Sequence, residues 1–341
     1  MNLSSDIQNI IIILDTECLL ECRYCYISKQ FKSNSAKLDY ETLIAEIEHY
    51  AMICGVLNIE VSGQLNRHTV FLRKLLGLSF VYPSVDFQFF FQLNGTELTE
   101  DVLAIIKEYR VNIGISSDGI DYVNTNLRVY KGKGQSGMLI RKAIEKLHDN
   151  QIDFSIRCTI SSQNIQDVGA LMKSLDDMDP KAVFLNRLIY KQDSVFDFSY
   201  LMVPIDMYIS FYESYHQMAF KAGDLHLIDV NLKRWFYRFS NHPKGWTHYC
   251  STGRCRLNKV ITPTGTYPCP KYVGSSVLQK LQLDAYRKNY CKNCAVLEIC
   301  QEGCPLGNNF KSNGLSDECL YVRFLYELYL KNKKHLKDII R

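Results

Sequence analysis

Residues 10–26, IIIILDTECLLECRYCY, form a short apolar run that empties directly into Cys18, Cys22 and Cys25, spaced C-x3-C-x2-C. Three thiolates on one loop can hold three irons of a 4Fe-4S cube. No fourth cysteine lies close enough in sequence to complete the set, so one iron is left open to the amine and carboxylate of a small molecule. A structural zinc loop, or simply buried thiols, is the alternative that this spacing alone leaves open. The preceding strand favours the cluster, because a barrel enzyme places its chemistry at the carboxyl ends of its strands.

The chain has 341 residues, enough for one large domain or two smaller ones. Its 40 basic and 36 acidic side chains leave a formal charge of +4, which gives no electrostatic case for nucleic acid. The basic tail 331–341 reads as a solvated helix face. The apolar run 10–14 is too short to span a membrane and lacks the flanks of a secretory signal, so a cytoplasmic protein is expected. Thirteen cysteines in a reducing compartment point to metal rather than disulfides. Three lie at the start, eight fall between Cys250 and Cys319, and Cys54 and Cys158 stand alone inside predicted core elements as inert thiols.

Beyond the cysteine loop, strands and helices alternate. Helices are predicted over 39–53, 100–109, 137–150, 164–178 and 204–222, and strands over 57–61, 86–91, 111–115, 153–160 and 182–188. With the strand before Cys18, this makes six strand-helix units and a parallel sheet.

The strand ends carry a resemblance. The C-x3-C-x2-C loop, with aromatic Tyr24 before its last cysteine, resembles the signature of the radical S-adenosylmethionine (SAM) superfamily, and this resemblance makes the α/β fold a partial (β/α)6 TIM-type barrel. Ser62-Gly63-Gln64 stands where the superfamily usually has Gly-Gly-Glu on the methionyl amine of the cofactor. Gln64 keeps an acceptor oxygen there but loses the carboxylate's charge. The turn 92–99, with Asn94, is similar to the Thr-Asn-Gly-Thr turn of peptide-modifying members. Ser116-Ser117-Asp118-Gly119 is similar to Ser-x-Asp-Gly, and Arg128 falls where relatives place an arginine on the cofactor's carboxylate. The cofactor-binding residues so implied are Tyr24, Ser62, Gly63, Gln64, Asn94, Ser116 and Arg128.

Toward the C-terminus, Cys250, Cys255 and Cys269 precede the run Cys291-x2-Cys294-x5-Cys300-x3-Cys304, followed by Cys319, with a hairpin around Gly265 leading into Cys269. This pattern resembles the SPASM domain, which carries two auxiliary 4Fe-4S clusters. The resemblance implies one cluster on Cys250, Cys255, Cys269 and Cys304, and a second on Cys291, Cys294, Cys300 and Cys319. A zinc-ribbon pair is the competing use of these thiols. The expected division is a barrel over 1–222, a linker over 223–245, the SPASM domain over 246–320 and a C-terminal helix over 321–341.

Three 4Fe-4S clusters and S-adenosylmethionine imply reductive cleavage to a 5'-deoxyadenosyl radical, which takes a hydrogen atom from a substrate. SPASM-type relatives act mostly on peptides and proteins, so the expected partners are a precursor peptide and a reductant such as flavodoxin or ferredoxin. With Cys18 so near the start, no leader-binding domain is expected ahead of it, and substrate recognition is expected to use the barrel mouth, a partner such as a separate leader-binding protein, or the C-terminal helix around 321–336. In anaerobic sulfatase-maturating enzymes an aspartate follows the third auxiliary cysteine; here Pro270 does, and it cannot take a proton. A peptide maturase forming a carbon-carbon cyclophane or a thioether is therefore the preferred expectation over formylglycine formation. A non-catalytic iron-sulfur scaffold, suggested by Gln64, is the alternative outside enzyme function, and no catalytic base is assigned.

Overall fold

The computed structural model describes residues 4–96, 98–132, 134–189, 194–241, 258–267, 269–270, 273, 294–300 and 316–333. Cys250, Cys255, Cys291 and Cys304 lie outside the described residues. In chain order the strands are β1 (Ser4–Ile13), β2 (Leu20–Cys22), β3 (Cys54–Ser62), β4 (Asp86–Leu93), β5 (Asn112–Ser116), β6 (Arg128–Tyr130), β7 (Phe154–Ile160), β8 (Ala182–Arg187), β9 (Asn258–Thr262) and β10 (Gly265–Tyr267). The helices are α1 (Lys29–Lys32), α2 (Tyr40–Ile53), α3 (Thr69–Val81), α4 (Glu100–Tyr109), α5 (Asp121–Leu127), α6 (Ser136–Asp149), α7 (Val168–Asp176), α8 (Ile205–Ala222), α9 (Val230–Asn241), α10 (Leu297–Cys300) and α11 (Asp317–Asn332). None of them is long and apolar enough to cross a membrane. The chain divides into two units, one of residues 1–157, 190–198 and 257–277, the other of 158–189, 199–256 and 278–341.

In the first unit the sheet runs β10-β9-β1-β3-β4-β5-β7. β1 is parallel to β3, with Ile10 opposite Ile59, and the parallel pairing continues through β4, β5 and β7. The six expected barrel strands are thus β1, β3, β4, β5, β7 and β8, each followed by helix. Burial alternates along them. Leu57, Ile59 and Val61 of β3 are buried, whereas Asn58, Glu60 and Ser62 between them are only partly so. The apolar face is closed by core packing, and the polar face is left for chemistry. Gly114 belongs to this arrangement, since a Cβ there would lie 2.6 Å from the Phe90 ring and 2.7 Å from Gln92 Oε1.

The helices begin where short polar side chains satisfy free backbone N–H groups. Asp39 accepts from the backbones of Glu41 and Thr42 to cap α2, and Thr99 accepts from Val102 to cap α4. α4 stops at Arg110, whose φ of 51° cannot continue a helix. The helix expected from residue 164 begins at Val168 instead. Asn164 closes the turn after β7, accepting from Ser161 N and donating to Thr159 O, and Asp167 takes the capping role.

Three features were not expected. α3 buries Phe71, Leu72, Leu75, Leu76 and Leu78 on one face between β3 and β4. The stretch 223–245, expected as a linker, contains α9, which buries Leu232, Trp235, Phe236 and Phe239 at helical spacing. The hairpin β9-β10, expected in the cysteine-rich domain, joins the barrel sheet, with β9 parallel to β1 and Ile10 opposite Lys259. Val260, Val273, Ile13 and Phe31 share a core there, which fixes the hairpin that carries Cys269.

The second unit is an aromatic helical core on β8. Tyr208, Tyr212 and Tyr215 of α8 are fully buried. Tyr321 of α11 meets Tyr212 edge-on at 5.7 Å, and Phe239 of α9 meets Tyr329 at 5.4 Å. α11 starts four residues before the expected 321, because Ser316 caps it by accepting from Cys319 N, which puts Cys319 in its first turn. Buried Asp229 ties β8 to α9. It accepts from Leu185 N and Asn231 N, each at 3.0 Å, and from the Tyr212 hydroxyl.

Burial pushes Asp229 up from 3.8 to about 6, against the pull of its hydrogen bonds. Between these values the unfolded chain has lost the proton and the folded chain keeps it. Stability is therefore full below about pH 4 and falls as the pH rises through 6, by up to about 3 kcal/mol. Asp229→Asn, which keeps an acceptor for Leu185 N, is expected to abolish this fall. Urea midpoints of parent and variant from pH 4 to 7 check it, and a constant difference between them contradicts the assignment.

Candidate active site

The cysteine loop leaves β1 at the carboxyl edge of the sheet, where Leu14 N donates to Ser62 O at 2.9 Å. It is held from below by a second ribbon. β2 pairs antiparallel with β6, placing Cys22 opposite Arg128, and Arg23 N donates to Leu127 O at 2.7 Å. Cys25 N donates to Cys22 O at 3.0 Å, which closes the turn between the last two thiols. Cys18 Sγ accepts from Leu20 N at 3.4 Å and from Asn94 Nδ2 at 3.9 Å. Among the described residues no three His, Cys, Asp or Glu side chains are grouped to hold a metal ion.

Arg128 and Tyr24 come together at Asp118. Arg128 makes a buried, bidentate ion pair with Asp118, through Nε at 3.0 Å and Nη2 at 2.9 Å. Tyr24 donates its hydroxyl to the same carboxylate, and the guanidinium lies 5.5 Å from its ring centroid. Asn124 shapes the turn that presents Asp118, accepting from Asp118 N at 2.7 Å and donating to Ser117 Oγ at 3.1 Å and Gly119 O at 3.2 Å. The contacts of Tyr24 and Arg128 are thus with the cysteine loop and its support. Burial pushes the bare Cys22 thiol up to about 12 although Arg128 pulls it down, so iron binding there must displace a proton.

The other expected contacts lie at the strand ends. Ser62 ends β3, in register with Gln92 of β4. Gly63 has a φ of 131°, and a Cβ there would come 2.9 Å from Leu14 Cβ. Gln64 is 2% exposed, and its Oε1 is buried without a hydrogen-bond partner. Ser116 Oγ accepts from Gln92 Nε2 at 2.8 Å, which leaves Gln92 Oε1 in the same state as Gln64 Oε1. Two orphaned buried acceptors beside a three-thiol loop fit a cofactor that brings an amine and hydroxyl donors. Asn94 points its amide at Cys18 and folds its own turn by accepting from Thr96 N at 2.9 Å.

Sequence reading missed several residues of this face. Arg157 of β7 and Glu60 of β3 form a bidentate pair at 3.0 and 2.8 Å, with the guanidinium 4.8 Å from the Phe90 ring centroid. The Tyr26 phenol lies within the electrostatic reach of Cys25, Glu60, Cys269 and Arg157, and 40% of its surface stays exposed. Charged residues at alternate positions of apolar strands were the available signal.

In the second unit Cys294, Cys300 and Cys319 are described. Arg323, one turn after Cys319 on α11, donates to Cys294 Sγ at 3.9 Å. None of the nine described cysteines is in a disulfide.

Replacing Arg128 by Met is expected to leave Asp118 buried and uncompensated and to cost about 3–5 kcal/mol. Urea unfolding of the apoprotein measures this; a loss below about 1 kcal/mol would mean that the pair does not hold the loop.

Residues 12–175 match the family described as the Radical SAM superfamily. The serine-type anaerobic sulfatase-maturating enzyme of Klebsiella aerogenes is 22% identical over 362 residues, covering 94% of this chain and 85% of that protein. The solved structure of native anSMEcpe with bound AdoMet superposes with a TM-score of 0.75 at 17% identity, over 97% of this chain and 99% of that one. Streptococcus suis SuiB bound to its precursor peptide SuiA gives 0.60 at 13% identity, over 93% and 75%. The signature loop, the parallel sheet and these likenesses agree: residues 12–175 are a radical SAM domain, which implies a 4Fe-4S cluster and S-adenosylmethionine, and the chain is an enzyme.

Proposed function

We propose that this enzyme modifies a peptide, forming a carbon-carbon or thioether cross-link in a ribosomally made precursor. Cys18, Cys22 and Cys25 would hold the cluster that binds S-adenosylmethionine, and together these groups supply a 5'-deoxyadenosyl radical able to remove a hydrogen atom from an unactivated C–H bond. Gln64 and Gln92 offer acceptors for the cofactor's donors, with Ser62, Gly63 and Ser116 shaping the same strand ends. Asn94 and the Tyr24-Asp118-Arg128 group orient the loop that carries the thiols.

Two auxiliary clusters complete the proposal, one on Cys250, Cys255, Cys269 and Cys304, the other on Cys291, Cys294, Cys300 and Cys319. The contact between Arg323 and Cys294 supports the second set, because it brings Cys294 to the turn of α11 that carries Cys319. A reductant of the flavodoxin or ferredoxin type and a cytoplasmic setting belong to the same reading, as does a separate leader-binding protein.

The observation that favours cross-linking is Pro270. It directly follows buried Cys269, next in the chain to a proposed cluster ligand, and offers no proton acceptor. A second reading, formylglycine formation, is favoured by the likeness to sulfatase-maturating enzymes along nearly the whole chain.

Anaerobically reconstituted parent protein is expected to bind about twelve irons and a Cys18, Cys22, Cys25 triple alanine variant about eight, with 5'-deoxyadenosine released only by the parent. Zinc in place of iron, or full iron loading without release, would falsify the radical reading. A peptide with a Cys-x-Pro-x-Arg motif separates the two reactions. The expected result is no aldehyde, with loss of two hydrogen atoms per bond in a cognate precursor; an aldehyde at the cysteine would establish sulfatase-type maturation instead.

A further inference from the structure

The change from glutamate to Gln64 removes a negative charge from the place that would meet the cofactor's amino group, yet a carboxylate stands beside it. Asp15 is the third residue before Cys18, two residues past the end of β1. Its Oδ2 accepts from Gln64 N at 2.8 Å. It closes against Gly63 so tightly that a Cβ there would come 3.0 Å from the same oxygen. We propose that Asp15 supplies, through the backbone of Gln64, the negative charge that Gln64 lacks, and so serves as a positioning residue for the amino group of S-adenosylmethionine. The proposal rests on the radical SAM reading of this site.

The hydrogen bonds around Asp15 fix its carboxylate in place. Its Oδ1 meets His68 Nε2 at 2.9 Å, and the Tyr40 hydroxyl meets His68 Nδ1. Burial and the charge of Asp15 push Tyr40 up. A carboxylate only accepts, so His68 Nε2 is the donor in its bond to Asp15. Tyr40 is itself fixed by stacking on Phe71 at 4.4 Å. Arg67 of the same turn is paired outward with Glu17 at 3.3 Å and does not neutralise Asp15.

A fixed anion next to a buried, unpaired acceptor, Gln64 Oε1, is a site that calls for a cationic or metal-polarised donor. The acceptor receives the N–H, and the anion supplies the attraction that a glutamate would combine in one side chain. Asp15 lies two residues past β1, the strand that delivers the thiol loop, on the same segment as the three cysteines.

The test is the dissociation constant for S-adenosylmethionine, by equilibrium dialysis on the anaerobically reconstituted holoenzyme, with the cofactor-induced change in the cluster's electron paramagnetic resonance as a second readout. Asp15→Asn is expected to weaken binding on the order of 10- to 100-fold. Asp15→Asn combined with Gln64→Glu is expected to return to within about 3-fold of the parent, because the charge is restored one residue away. A purely structural Asp15 would not be rescued in this way, and failure of the rescue overturns the proposal, as does unchanged binding by Asp15→Asn. Gln64→Glu alone serves if Asp15→Asn does not fold. It is expected to gain less than about 3-fold, whereas a gain of tenfold or more would show a site short of charge and overturn the proposal. A parent that holds its iron but binds no S-adenosylmethionine overturns the radical SAM reading and the proposal with it.

Discussion

The buried ion pair between Arg128 and Asp118 is the constraint on which the cysteine loop depends. A carboxylate with no exposed surface is tolerable only if its charge is met and its lone pairs are filled. Asp118 achieves this with two guanidinium bonds, the Tyr24 hydroxyl and a turn locked by Asn124. Arg128 stands opposite Cys22 in the small ribbon, and Tyr24 lies between Cys22 and Cys25, so satisfying this one charge also fixes where two thiols can be. The end of β5 and the loop after β1 become parts of one rigid object.

The main sheet supplies the second condition. Its strands bury one face and leave polar residues on the other, so Glu60, Gln92, Ser116 and Arg157 can meet one another over a backbone that the apolar face holds still. Gly114 leaves the space into which Phe90 and Gln92 extend. Rigid strand ends with an open polar face suit an enzyme that must confine a reactive radical.

Much of this was legible in the sequence. Strand β1 emptying into three spaced cysteines, the alternation of elements and the helix over 100–109 followed directly from local patterns. What escaped depended on partners far apart in the chain. The pairing of Arg128 with Asp118, ten residues before it, has no local pattern, and only the fold brings the two together. Asp15 carried no motif, and its meaning comes from His68 and Tyr40. α9 lies within the expected linker; Lys233, Arg234 and Arg238 interrupt its apolar stripe in the sequence, and the stripe is plain once the helix packs against β8 and α11. Asn164 has the chemistry of a helix cap, but Asp167, three residues on, competes for that role and prevails.

The pairing of β9 with β1 has a further consequence, in the order of assembly. Asn9 lies opposite Asn258, so about 250 residues must be arranged before these two strands can zip together. Closing a loop of that length costs chain entropy well before the contacts repay it, and contacts of such high order form late. The hairpin bearing Cys269 therefore docks onto a sheet whose other strands are already paired. A ribosome-bound fragment lacking the last quarter of the chain would present β1 as an open sheet edge.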